Sequence, residues 1–289
     1  MTCNGNDNRL PSPEALLRGH GLRAKKGWGQ SFLRDPSVSD RIVAALEPEQ
    51  GDRIVELGAG LGHLTVRLAK SGAHIVAVER DRDLVPVLNG LFPKCERVRV
   101  VAADAKTLDF ADLRGEGPKL LVAGNLPYHL TTPILFNLLH HREHLARAVM
   151  MVQKEVAERL ASEPDCKSYG VLSVQTQMWS KVRVVFDVQP GSFHPSPSVV
   201  SSVVRLDFRE GPLSDPGDPE LFRRIVRGAF AQRRKTLRNA LKATRVVPVD
   251  HISLLLEKAG LAPEARAETV SVEGFARLSR IARVFEVQA

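Results

Sequence analysis

Short apolar blocks recur along the first two thirds of the chain, separated by glycine-rich or polar turns. The blocks "RIVEL" (53–57), "HIVAVE" (74–79), "RVRVVAAD" (97–104), "KLLVAG" (119–124) and "RAVMMVQ" (147–153) are rich in Val, Ile, Leu and Ala. Their length and composition predict buried strands. Helical spacing fills the gaps between them, in "GHLTVRLAKSG", "DRDLVPVLNGLF", "TTPILFNLLHH" and, after the fifth block, "KEVAERLAS". Asp81 is placed as an N-cap for the second of these, and a threonine cap with Pro133 in the first turn opens the third. Strands alternating with helices predict a parallel sheet covered on both faces, an α/β fold. "VRVVFDV" and "SSVVRLDF" add late strands with period-two character.

The stretch "REGPLSDPGDPE" (209–220) interrupts this rhythm with Gly, Pro and Asp. Beyond it, "PELFRRIVRGAFAQRRKTLRNAL", "VDHISLLLEKAG" and "SVEGFARLSRIARVF" are all helical in period. The expected organisation is a flexible N-terminal extension (1–22), an α/β domain (23–210) and a small all-helical domain (211–289).

Composition narrows the class. Of 289 residues, 43% are hydrophobic and only 5% aromatic, so the core is built mostly from aliphatic side chains. No apolar run approaches the ~20 residues of a membrane span. With no secretory h-region at the N-terminus either, a cytoplasmic protein is expected. The cysteines Cys3, Cys95 and Cys166 are odd in number and scattered, against a disulfide framework or a Cys-based zinc site. His140, His141 and His144 have no acid or cysteine placed with them and read as a polar helix end, so no metal is expected. The net charge of +8 is uneven: residues 9–34 and 211–289 contribute +5 each, leaving the rest at −2. A near-neutral middle with basic ends points to a polyanion touched from two sides.

The chemistry sits at strand ends. The first strand runs into "VELGAGLGHLT", with Gly58, Gly60 and Gly62 behind Glu56. The spacing is G-x-G-x-G rather than the G-x-G-x-x-G of dinucleotide folds, and no Tyr-x-x-x-Lys follows, so a nicotinamide-dependent reductase is disfavoured. An acid before such a loop looks like the S-adenosylmethionine (SAM) methyltransferases. Glu79 ends the next strand, where a carboxylate can accept both hydroxyls of a ribose, and Asp104 ends the third, placed to accept from an exocyclic adenine amine. The fourth strand ends in Asn125-Leu126-Pro127-Tyr128. An N6 amine needs two acceptors to turn its lone pair toward a methyl donor. The Asn125 side-chain oxygen and the Leu126 carbonyl, exposed by the Pro127 turn, are the candidates. Tyr128 is placed to stack on the base.

Taken in order, "KKGWGQSFL" (25–33), "VELGAGLGHLT", "VERD", "AADA", "GNLPY", "SYGVLSVQTQ" (168–177), "FHPSPSVVSSVV" (193–204) and "FAQRRKTLRNAL" (230–241) resemble the bacterial 16S rRNA adenine dimethyltransferases, over roughly residues 23–285. The resemblance implies a class I, Rossmann-like SAM methyltransferase sheet with a helical RNA-contacting domain. It implies dimethylation of two adjacent adenines near the 3′ end of small-subunit rRNA, on an assembling subunit (pre-30S), by a monomer. Ser31, Leu33, Glu56, Gly58, Gly60, Glu79, Asp104, Ala105 and Asn125 are the implied cofactor contacts. Ser31 stands where that family carries asparagine, and Trp28 where leucine is common. Phe193 is implied to flank the target base with Tyr128, while His194 is structural. Arg233, Arg234, Lys235 and Arg238, on a helix whose seam is Leu237 and Leu241, are implied to contact rRNA phosphates, together with Arg23, Lys25 and Lys26. Two other readings stay open: the 23S rRNA methyltransferase of macrolide resistance, and a ribosome-assembly factor whose binding matters more than catalysis.

Overall fold

The computed structural model describes residues 10–93, 95–232, 234–244 and 248–286. Its strands are β1 (Phe32–Leu33), β2 (Arg53–Leu57), β3 (His74–Glu79), β4 (Val98–Ala102), β5 (Leu120–Asn125), β6 (Leu145–Gln153), β7 (Ser180–Val188), β8 (Phe193–His194) and β9 (Ser201–Phe208). Seven of them form one sheet in the order β4-β3-β2-β5-β6-β9-β7. β2 to β6 are parallel, as the alternation predicts, whereas β9 runs antiparallel to β6 and makes the sheet mixed. The chain builds outward from β2 to β4, then returns to the other side of β2 with β5. Such a reversal opens a crevice beyond the carboxyl ends of the strands.

The chain divides into two compact units, 1–157 with 183–208, and 158–182 with 209–289. This corrects the expected single cut after residue 210. Residues 158–182 carry the helix Val171–Trp179, whose Val174 and Met178 join the core of the second unit. That core also holds Tyr169, Phe222, Phe275, Leu237 and Leu241. The Tyr169 hydroxyl donates to the Val270 carbonyl at 3.0 Å, which satisfies the one polar atom of a fully buried ring.

Two expectations about helices change. The stretch "PELFRRIVRGAFAQRRKTLRNAL", helical in period throughout, is two helices, Pro219–Phe230 and Leu237–Thr244. The second restarts behind Thr236, whose hydroxyl accepts the Asn239 N–H at 3.4 Å. In the N-terminal extension, expected to be flexible, the described part instead forms the helix Pro13–Gly19, capped by Ser12. Its Leu16 and Leu17 are buried with Phe32, Leu61, Leu84 and Val87. The helix Pro36–Leu46 also went unforeseen. It has Asp35 as N-cap, proline at its first position, and Val38, Ile42 and Leu46 facing the core.

β1 and β8 form a separate antiparallel pair, Phe32 opposite His194 and Leu33 opposite Phe193. The pair anchors the segment Gly27–Ser31 beside the crevice.

Candidate active site

A cavity of about 210 Å³ opens where β2, β3 and β5 end. Gly58 and Gly60 follow β2, Glu79 ends β3, Asp104 and Ala105 follow β4, and Asn125, Leu126, Pro127 and Tyr128 close β5. All of them line this one cavity, and Ser31 lines it from the N-terminal side.

The glycine loop has a steric reason. Gly60 sits at φ +56°, and a Cβ there would meet the Phe32 ring at 3.1 Å; Gly58 sits at φ +72° against the Asn125 carbonyl. Both positions need left-handed backbone at close approach, which glycine alone supplies without strain. Turned this way, the loop presents the Gly60 N–H to Glu79 Oε2 at 2.8 Å, while Glu79 Oε1 accepts the Asp81 N–H at 2.7 Å. Each carboxylate oxygen therefore keeps a lone pair free of these bonds, which suits a vicinal diol. Burial pushes the Glu79 carboxyl up, and the N–H groups of Asp81, Gly60 and Arg80 pull it back. Asp81 is not a helix cap: the helix starts at Val85, and the Asp81 side chain instead accepts the Asp83 N–H at 3.1 Å.

Asp104 takes the Lys106 N–H on Oδ1 at 3.0 Å and faces Arg80 and Lys106 on Oδ2 at 3.7 and 3.4 Å. The Arg80 guanidinium lies 4.7 Å from the centroid of the Trp28 ring, and the Lys25 ammonium 5.0 Å from it. Glycine loop, doubly anchored Glu79 and cavity-facing Asp104 together fit a cofactor with a ribose and an adenine.

On the other side, Asn125 donates its Nδ2–H to the Ser31 carbonyl at 2.8 Å. Tyr128 begins a short 3₁₀ turn, and its hydroxyl bonds to Ser201 Oγ at 2.6 Å. Burial pushes the phenol up against that hydrogen bond, so it stays neutral. The Ser31 hydroxyl donates to the Pro195 carbonyl at 2.6 Å, which directs its proton to the protein itself.

Three predicted residues lie outside the cavity. Leu33 and Phe193 are 4% and 1% exposed and pack into the sheet core, because paired residues on β1 and β8 send these side chains inward. Phe193 is therefore not placed to flank a base in this structure. Glu56 lies below the glycine loop, beside a small cavity of about 30 Å³ shared with Gly58, Gly60 and Asn125. Its Oε2 is buried without a hydrogen-bond partner among the described residues. Burial pushes this carboxyl up to about 8, with the nearby Thr65 hydroxyl pulling down and the Glu79 charge pushing up.

Residues 21–283 match the ribosomal RNA adenine dimethylase family. The chain belongs to that family. This dimethylase is an rRNA methyltransferase dependent on SAM. It is 48% identical over 282 residues to the ribosomal RNA small subunit methyltransferase A of Anaeromyxobacter sp. (strain K), covering 94% of this chain and 98% of that protein. Among solved structures it resembles a dimethyladenosine transferase from Plasmodium falciparum, at TM-score 0.74 and 26% identity, over 86% of this chain and 95% of that one. It also resembles the 23S rRNA methyltransferase ErmE, at TM-score 0.66 and 25% identity, over 87% and 99%.

The basic residues of the dimethylase divide. Arg23, Lys26, Arg234, Lys235 and Arg238 are exposed; Arg233 lies outside the described residues. Arg234 and Lys235 precede the helix Leu237–Thr244, which carries Arg238. Lys25 is committed elsewhere, in ion pairs with Asp81 at 2.6 Å and Asp83 at 2.7 Å. Among the described residues, no group of three or more His, Cys, Asp or Glu could hold a metal, and no helix is long and apolar enough to cross a membrane. Cys166 is free and exposed, while Cys95 is disulfide-bonded, which its scattered place in the sequence did not foreshadow. Sequence reasoning missed Asp81, Pro195 and Ser201 as supports of the site. Asp81 falls inside the quoted "VERD", and Pro195 and Ser201 inside "FHPSPSVVSSVV", but a motif does not show which side chain its residues support.

Proposed function

We propose that this chain, as a cytoplasmic monomer, dimethylates the N6 amines of two adjacent adenines near the 3′ end of 16S rRNA in an assembling small subunit. When bound, SAM supplies a methyl on a sulfonium. Glu79 would hold its ribose hydroxyls, Asp104 its adenine amine, and the Gly58–Gly60 backbone the remainder. The observation that carries the reading is the Asn125 amide. Its N–H is tied to Ser31 O, so its oxygen is the end turned away from that bond. Asn125 Oδ1 and the Leu126 carbonyl then accept the two hydrogens of the target amine and turn its lone pair. Tyr128, held by Ser201, stacks on the base. Alignment supplies most of the rate, because an amine that gains positive charge releases its proton to water without a dedicated base.

Exposed Arg23, Lys26, Arg234, Lys235 and Arg238 suit phosphate contact. Changing Arg234 and Arg238 together to Glu is expected to weaken rRNA binding and flatten its salt dependence. Identity of 48% to a small-subunit enzyme, against 25% to ErmE, supports the small subunit as target. The test is mass spectrometry of rRNA after incubating the protein and SAM with undermethylated small subunits, or with 23S rRNA. N6,N6-dimethyladenosine in 16S rRNA is the expected product. Modification of 23S rRNA alone would favour the macrolide-resistance activity. Tight binding without methylation would favour an assembly factor.

A further inference from the structure

Ser31 touches both segments that meet at the Asn125 end of the cavity. Its carbonyl accepts the Asn125 Nδ2–H at 2.8 Å, and its hydroxyl donates to the Pro195 carbonyl at 2.6 Å. A backbone carbonyl can only accept, so the amide end facing it is the nitrogen. Without that bond, rotation about the terminal torsion of asparagine, which is broad and roughly two-fold, would exchange the amide ends. A reversed amide would point N–H at the N–H of the target amine and align nothing. The position of the Ser31 carbonyl is itself held from two sides. Gln30 donates to the buried Asp81 carboxylate at 2.6 Å and accepts the Lys25 N–H at 2.8 Å. On the far side, the Ser31 hydroxyl reaches Pro195, next to the β1–β8 pair.

We infer that Ser31 is a positioning residue for methyl transfer: its carbonyl sets which end of the Asn125 amide meets the substrate, and its hydroxyl fixes that carbonyl by bonding to Pro195. The inference rests on the role of Asn125 proposed above. It gives a job to the serine that stands in place of the asparagine of the resembling family. The side chain at this position secures the protein's own frame.

Ser31→Ala keeps the carbonyl and removes the hydroxyl; Ser31→Thr keeps both. In Ser31→Ala the kcat for rRNA methylation is expected to fall about tenfold, since small misplacements of aligned groups cost rate. KM for SAM and the thermal midpoint should stay near those of the unsubstituted protein, and Ser31→Thr should recover most of the kcat. Unchanged kcat in Ser31→Ala overturns the inference. A raised KM for SAM at constant kcat overturns it too, by making Ser31 a cofactor ligand. So does a loss of kcat that Ser31→Thr leaves unrepaired. The unsubstituted protein is assayed first: no turnover there sinks the proposed function, whereas equal turnover in parent and Ser31→Ala sinks only the inference.

Discussion

Glu79 and Asn125 end the two strands that flank β2, and both turn polar groups to the same cavity. They are held in place differently. Glu79 is fixed by the N–H groups of Gly60 and Asp81, the first in the loop of the adjacent strand and the second two positions along its own chain. Asn125 is fixed by Ser31, 94 residues earlier, and its neighbour Tyr128 by Ser201, 73 residues later. The lip proposed to hold the cofactor thus forms with the parallel sheet. The lip proposed to hold the target amine depends on a segment before the sheet and another near its end. Backbone N–H groups survive every substitution but proline, whereas the lip at Asn125 rests partly on replaceable hydroxyls.

The contrast is open to attack, beginning with the largest expected effect. Asn125→Ala should lower single-turnover methyl transfer by about 10²–10³-fold, the scale seen when one aligned polar group is removed. The SAM dissociation constant, measured by calorimetry, should barely change; a large affinity loss would erase the division of labour between the lips. Glu79→Ala should do the reverse, weakening SAM by ~1–3 kcal/mol through lost charge-assisted bonds. Turnover at saturating SAM should survive, and an unaltered SAM affinity would show that the ribose lies elsewhere.

Glu56, on β2 between the lips, gives a pH signature. Its carboxyl ordinarily titrates at 4.5 and is raised to about 8 in the folded chain. Between those values the folded state keeps a proton that the unfolded state has released. This group therefore makes stability fall as pH rises from 4.5 to 8, and the loss levels off above 8. Glu56→Gln should flatten that slope and gain on the order of 1–3 kcal/mol relative to the parent at pH 8. Urea unfolding at pH 5 and pH 8 tests it; parallel slopes would mean that Glu56 stays charged under the glycine loop. The smallest effect belongs to Ser201→Ala, expected to lower kcat/KM for rRNA about 2–5-fold by loosening Tyr128. A parallel loss of SAM affinity would place Tyr128 on the cofactor lip instead.

The same division decides what was legible from residues alone. β2 to β6 announce themselves as apolar runs, and the residues at their carboxyl ends must enter the crevice once the strands are parallel. Gly58, Gly60, Glu79, Asp104 and Asn125 were therefore readable. Leu33 and Phe193 were not, because a motif fixes a position along the chain and not the direction of its side chain; the β1–β8 pairing turns both inward. Lys25 looked like one more phosphate-binding cation until the fold brought Asp81 and Asp83 to it. The helix Pro13–Gly19 has only seven residues, and its leucines find partners in Phe32, Leu61, Leu84 and Val87, none of them local. Continuous helical period across 219–241 hid the break before Leu237, since periodicity does not register a cap such as Thr236.

The pairing of Leu33 with Phe193 also sets an order of birth for the enzyme. A ribosome delivers the glycine loop, Glu79 and Asn125 well before residue 193. At that stage β1, made earlier than any of them, still lacks its partner strand. Ser31 cannot bond to Pro195 until that later stretch has been synthesised. A nascent chain halted between Gln153 and Phe193 would carry Glu79 with its N–H partners but neither Pro195 nor Ser201, so the supports of Asn125 and Tyr128 are the last part of the cavity that synthesis supplies.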